Sequence, residues 1–203
     1  MKVNPNYREG RQTEVDWWLS FGTKRICFLA HVDFFELIWR CFCKSIHNKH
    51  FNKALEIGIG ATGGFLCVIP HIKKRYAIDI NIDELDAIGF LPSKTHIKYQ
   101  QGDAEKMSYD DNSFDLVIMT NTIDHMDHPE RAIKEIKRVL KPGGILLFQT
   151  FLKVPDPHPM TFDTPEEVND MIGMKIIEEH LVDDNYKHRN RNDYYVAIYA
   201  NTS

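Results

Sequence analysis

Residues 54–66 read ALEIGIGATGGFL, an apolar run that ends in Glu56 and is followed by glycines at 58, 60, 63 and 64. No other stretch limits the fold so severely. A buried strand must pass into whatever follows through a loop with almost no side chains. Glycine permits positive φ and lets backbone N–H groups approach a ligand closely. In an open parallel sheet such a loop lies at the carboxyl ends of the strands, where ligands bind. The stretch predicts a strand, a bare loop and a seat for a flat or phosphorylated ligand. Glycines serving turn geometry alone are the alternative.

From residue 53 onward two kinds of segment alternate. Short apolar runs read KALEIGI, RYAIDI, THIKYQ, FDLVIMT and GILLFQT. Between them lie turn signals and helical periodicity, clearest over Pro129–Leu140. There Ala132, Ile133, Ile136, Val139 and Leu140 repeat at three and four, with Asp127 or His128 placed to cap. Lys141-Pro142-Gly143-Gly144 is expected to stop that helix. Near-continuous apolar strands separated by helices predict a parallel sheet covered on both faces. After Thr164 the pattern changes to a short helix near Pro165–Ile172, then KIIEEHLV and DYYVAIYA. The loop between these two runs is too short for a crossover, so they are expected to pair antiparallel.

Residues 1–52 read differently. TEVDWWLSFG and HVDFFELIWRCFCKSIHNK suggest two amphipathic helices carrying Trp17, Trp18, Phe34, Phe35, Leu37, Ile38 and Trp39. They are expected to form an N-terminal helical extension, packed on the sheet's flank or acting as a lid, with residues 53–203 as the main domain.

Charge narrows the function classes. The net charge of −4 offers no basic field for nucleic acid, and the longest basic cluster, Lys187–Arg191, reads as a solvated turn. Glu9, Glu14 and Asp16 stand where the apolar core of a signal peptide would lie. No run approaches the ~18 apolar residues of a membrane span. Cys27, Cys41, Cys43 and Cys67 form no CxxC pair, so reduced thiols, a cytoplasmic location and no metal site are expected. No nucleic-acid or membrane partner is expected, and no oligomeric state is read.

Gly58-x-Gly60-x-x-Gly63 fits a dinucleotide fingerprint, with Asp79 about 20 residues beyond for a ribose diol. The rest of the chain points elsewhere. LEIGIGATGG, YAIDI and QGDAEKMSYDDNSFDLVIMTNTIDHMDHPERAIKEIKRVLKPGG occur in order from Lys53 to Phe148. In these the chain resembles the class I S-adenosylmethionine-dependent methyltransferases of the small single-domain kind. Thr62 departs from the pattern, because many members place a glycine there and this loop is one residue longer. The resemblance implies a Rossmann-like, seven-stranded, mostly parallel sheet with an antiparallel C-terminal hairpin, and S-adenosyl-L-methionine as cofactor.

It also implies roles. Glu56 and the loop of Gly58, Gly60 and Gly63 would face the methionine and ribose portions. Asp79, followed by Ile80, would accept the ribose hydroxyls, or else cap the next helix. Asp103 would accept the adenine amino group and the Ala104 amide would donate to the ring, unless Asp103 is a plain turn acid. Asn121 would lie near the sulfonium. His125 could act as general base at neutral pH, or shape the cofactor site instead. Asp124 could orient a hydroxyl or amine, or help cap the Pro129 helix. His158, in the proline-stiffened VPDPHPMTF, is a second candidate substrate contact. A small hydroxylated or amino acceptor is the expected substrate, with O-methylation of a sugar, polysaccharide precursor or natural product first. A non-catalytic cofactor-binding or partner-binding module of the same fold is the alternative, and a nicotinamide-dependent oxidoreductase is a third.

Overall fold

The computed structural model describes residues 2–3, 20, 36, 38–60, 64–91, 96–153, 160–182 and 193–202. Trp17, Trp18, Cys27, Phe34, Phe35, Leu37, Thr62, Gly63, His158 and the Lys187–Arg191 cluster lie outside them. Strands in chain order are β1 (Lys2–Val3), β2 (Phe51–Ile57), β3 (Ile72–Asp79), β4 (Ile97–Gln101) and β5 (Phe114–Thr120). They continue as β6 (Leu140–Phe151), β7 (Met160–Thr161), β8 (Lys175–Val182) and β9 (Tyr194–Ala200). The helices are α1 (Ile82–Ala87), α2 (Pro129–Val139) and α3 (Pro165–Ile172), together with a helical stretch at 38–46.

Seven strands form one sheet in the order β4-β3-β2-β5-β6-β9-β8. The first five pair in parallel, and β9 and β8 close the edge antiparallel. The expected C-terminal hairpin is therefore present. A separate antiparallel pair joins β1 to β7. Strand order turns back at β2 and β5, which makes their carboxyl ends the switch point of the sheet.

Both faces are buried, as the near-continuous apolar strands require. One face carries Ala54, Ala77, Leu116, Ile118, Ile145, Leu147 and Val196 and is covered by Ile38, Phe42 and Ile46 of the helical stretch. The other carries Leu55, Ile78, Val117, Met119, Leu146, Phe148 and Tyr199 under Ile133, Ile136 and Val139 of α2. The β8 edge instead exposes Lys175, Ile176 and Ile177.

Two local details differ from expectation. The Lys141-Pro142-Gly143-Gly144 segment does not separate helix from strand. Helix α2 ends at Val139, and β6 begins at Leu140 with a register irregularity that the segment spans. Gly143 sits there at φ 75°, where its lack of a Cβ is needed. At the other end of α2, His128 occupies the capping position without a side-chain cap; its own amide donates to Glu105 Oε1 at 2.7 Å.

Candidate cofactor and acceptor site

The glycine loop is held from beneath by Glu56. That side chain is buried, and its two oxygens accept from the amides of Phe65 at 2.8 Å and Leu66 at 2.9 Å. Burial pushes its carboxyl up to about 7, against the pull of those two amides. Gly64, at φ 62°, lies directly over the carboxylate, and a Cβ there would collide with it. Arg75 of β3 ties down the following turn by donating to the carbonyls of Leu66, Ile69 and Ile72. A cation that anchors three carbonyls was not foreseen; the only trace in the sequence is an arginine inside the apolar run RYAID.

Register orders the acids along the sheet. Glu56 is level with Ala77 of β3 and Ile118 of β5, so Asp79 stands two residues nearer the carboxyl edge. Asp79 Oδ2 accepts from the Gly60 amide at 3.0 Å, and Oδ1 from the Asn81 amide at 2.9 Å. Burial raises its carboxyl above the usual range, while the amides of Asn81, Gly60 and Ile80 pull it back. Asp79 is level with Gln101 of β4, and Asp103 follows two residues on. Asp103 is exposed and its Oδ1 accepts from the Glu105 amide at 2.8 Å; Ala104 and Ile80 are half-buried.

Across the switch point, Gly58 meets Thr122. Gly58 has φ 70°, its amide donates to the Ile78 carbonyl at 2.9 Å, and a Cβ there would strike the Thr122 side chain. Thr122 in turn donates to the Thr120 carbonyl at 2.8 Å. Asn121 takes φ 47° and is exposed, so β5 ends in a sharp turn. A single 3₁₀ turn, Ile123–His125, follows. Asp124 is buried; the His125 side chain is 20% exposed, with Nε2 3.8 Å from Asp124 Oδ2.

The segment that follows β4 is lashed to α2. The Met107 amide donates to Glu135 Oε2 at 2.8 Å, and Arg138 donates to Glu135, Asp111 and the carbonyls of Met107 and Tyr109. Arg138, the first residue of the RVLKPGG motif, thus ties α2 to the segment that follows GDAE. A cleft of about 320 Å³ lies elsewhere, lined by Lys49, Phe51, Asp115 and Lys141 at the amino ends of the strands. It is remote from the carboxyl edge where this sheet type seats ligands.

The chemistry of the donor set suits an adenosyl cofactor. Each Asp79 oxygen has lone-pair capacity beyond its amide bonds for a ribose hydroxyl. The carboxyl end of β4 offers a further acid, and the loop beside β2 is kept bare. A reversing parallel sheet with these strand-end acids is the architecture of the class I S-adenosylmethionine-dependent methyltransferases. Residues 55–148 match the family described as a methyltransferase domain.

Relatives agree. Over 134 residues the chain is 33% identical to the ubiquinone/menaquinone biosynthesis C-methyltransferase UbiE of Neisseria meningitidis, covering 62% of this chain and 54% of that protein. The chain spans about half the length of the curated relatives it matches. Among solved structures, the N-methyltransferase NodS of Bradyrhizobium japonicum WM9, in complex with S-adenosyl-L-homocysteine, superposes with a TM-score of 0.70 at 20% identity. That match covers 98% of this chain and all of NodS. The [4+2]-cyclase SpnF superposes at 0.62 with 17% identity, over 83% of this chain and 80% of that one. At such identities the likeness is one of fold, and fold alone does not choose a reaction.

Proposed function

We propose that this chain transfers the methyl group of S-adenosylmethionine to a small hydroxylated acceptor, with oxygen as the methylated atom. Residues 53–203 form the catalytic domain in this reading and residues 1–52 an added segment. The burial of Ile38, Phe42 and Ile46 against the sheet supports packing of that segment on the core. The observation that carries the reading is the Gly60–Asp79 hydrogen bond, which sets a carboxylate beside a bare loop at the switch point.

Asp79 would hold the ribose hydroxyls, Asp103 the adenine amino group and the Ala104 amide the ring. Glu56 would act through the loop it supports, shaping the run from Gly58 through Gly60 and Gly63 to Gly64. When bound, the sulfonium supplies an activated methyl group and a neutral leaving group. The protein's part is alignment, exclusion of water and removal of one proton. His125 would take the acceptor's hydroxyl proton, and the buried Asp124 beside it would stabilise the imidazolium. Asn121 would border the reacting centre, with His158 as a further substrate contact.

Calorimetric titration with S-adenosylmethionine, S-adenosylhomocysteine and NAD tests the reading. The first two should bind and NAD should not; binding of NAD alone overturns it. Cofactor binding with no methyl incorporation into phenols, quinols or glycosides would instead identify a non-catalytic module. The C-methyltransferase relatives favour a second reading, in which the deprotonated acceptor is methylated on a ring carbon. Product analysis distinguishes the two.

A further inference from the structure

Strand β6 carries one side chain that the fold does not use. On the face turned to the helical stretch 38–46, Ile145 and Leu147 are buried, Gln149 follows, and then the half-buried Phe151. Gln149 has no solvent exposure, yet among the described residues neither its Oε1 nor its Nε2 has a hydrogen-bond partner in the protein. Buried amides are almost always paired, because an unpaired one forfeits its bonds to water. Methionine or leucine would occupy the position without that loss. In a strand otherwise consistent with its surroundings, such a breach marks a functional position.

Its place in the sheet says which function. Gln149 is level with Thr120 of β5 and Val196 of β9, and its carbonyl accepts from the Asn121 amide at 3.0 Å. It therefore stands at the carboxyl edge beside the turn that carries Asp124 and His125. Asp79 lies on the other side of the switch point. Thr120, the neighbour of Gln149 one strand spacing (~4.8 Å) away, is half-buried. Two residues on, Phe151 packs against Tyr194 with ring centroids 4.7 Å apart. One face thus carries a buried amide, a half-buried threonine and an aromatic pair in which Tyr194 is buried.

We propose that Gln149 recognises the methyl acceptor, exchanging hydrogen bonds with the hydroxyls of an uncharged, ring-bearing substrate whose ring lies against Phe151 and Tyr194. This rests on the methyl-transfer reading above. An amide both accepts and donates, so two neighbouring hydroxyls satisfy it fully: one donates to Oε1 and the other accepts from Nε2. It carries no charge, so a carboxylate or phosphate would meet no counter-charge here and would be selected against. A site built to pair with a hydroxyl rejects analogues that lack one, because its own polar atoms are then stranded.

The test uses the full chain with S-adenosylhomocysteine and catechol as probes, comparing wild type with Gln149→Met. The variant should melt a few degrees higher, bind S-adenosylhomocysteine within about twofold of wild type and bind catechol at least ~10-fold more weakly. Gln149→Leu repeats the comparison with a different side-chain shape. A lower melting temperature in both variants would show that the amide serves the fold, and the proposal fails. Catechol affinity equal in all three proteins, or no catechol binding to wild type, also overturns it. Gln149-dependent catechol binding by a wild type that binds no S-adenosylhomocysteine would keep this site and remove the methyl-transfer reading, so the two failures are distinguishable.

Discussion

The Gly60 amide and Asp79 Oδ2 are 3.0 Å apart, although 19 residues separate them in the chain. This one bond couples the first bare loop to the end of the neighbouring strand. Any ligand that uses the Asp79 carboxylate also feels the loop. Asp79→Ala should therefore weaken S-adenosylmethionine binding by about 1–3 kcal/mol, the scale of lost hydrogen bonds to a charged group. Asp79→Asn should lose less, because its side-chain oxygen can still accept one bond. Calorimetry on both variants checks this, and unchanged affinity in the alanine variant would misplace the ribose.

Glu56 makes stability depend on pH in the less usual direction for an acid. Its folded-state value of about 7 lies above the ordinary 4.5 because burial outweighs the Phe65 and Leu66 amides. Between those values the folded state binds the extra proton, so ΔG of unfolding falls as pH rises. The contribution is fully present below 4.5 and is lost as pH passes through about 7. That span corresponds to roughly 3 kcal/mol at most. Urea unfolding of wild type at pH 5 and pH 7.5 should show the decline. Glu56→Gln should flatten it, while being less stable throughout because one of the two amides then faces an NH₂ group.

What could be read beforehand were the segments whose signal is local. The strand at FDLVIMT and the helix at Pro165–Ile172 announce themselves because burial on both faces and a Thr164 cap leave marks at fixed spacing. The antiparallel edge follows from one short loop. By contrast, the partners of Arg75 and Arg138 are set by packing between distant segments, and no spacing rule encodes them. Glu56 is instructive in another way. As the acid ending an apolar run it suggests a ligand contact, whereas its oxygens are engaged by amides nine and ten residues onward. Only the folded loop shows that turn-back. Gln149 was hidden for the opposite reason: one polar residue near a strand's end looks like an exit to solvent, and only the fold buries it.

The close approach of Gly58 to Thr122 can be tested by a double-mutant cycle. Gly58→Ala meets two penalties, a Cβ striking the threonine side chain and a positive φ that alanine adopts poorly. It should cost about 2 kcal/mol or more in denaturant unfolding. Thr122→Gly in the same chain should recover the collision and leave the backbone term, near ~1 kcal/mol. Simple addition of the two single losses would mean that the residues do not touch.

His125 and Asp124 divide the proton-handling role if the site works as proposed. His125→Ala should lower turnover by ~10²-fold or more while leaving S-adenosylhomocysteine affinity within about twofold, since a general base acts on the acceptor. Asp124→Asn should give a smaller loss in turnover, because the imidazole remains but the buried carboxylate 3.8 Å from its Nε2 no longer stabilises the charged ring. A hydroxylated acceptor that enters already ionised needs no base. The His125→Ala defect should therefore shrink as pH is raised through the acceptor's own pKa. Turnover of a phenolic acceptor measured in both variants across that range checks the assignment. A His125→Ala enzyme as fast as wild type at neutral pH would remove the histidine from the chemistry.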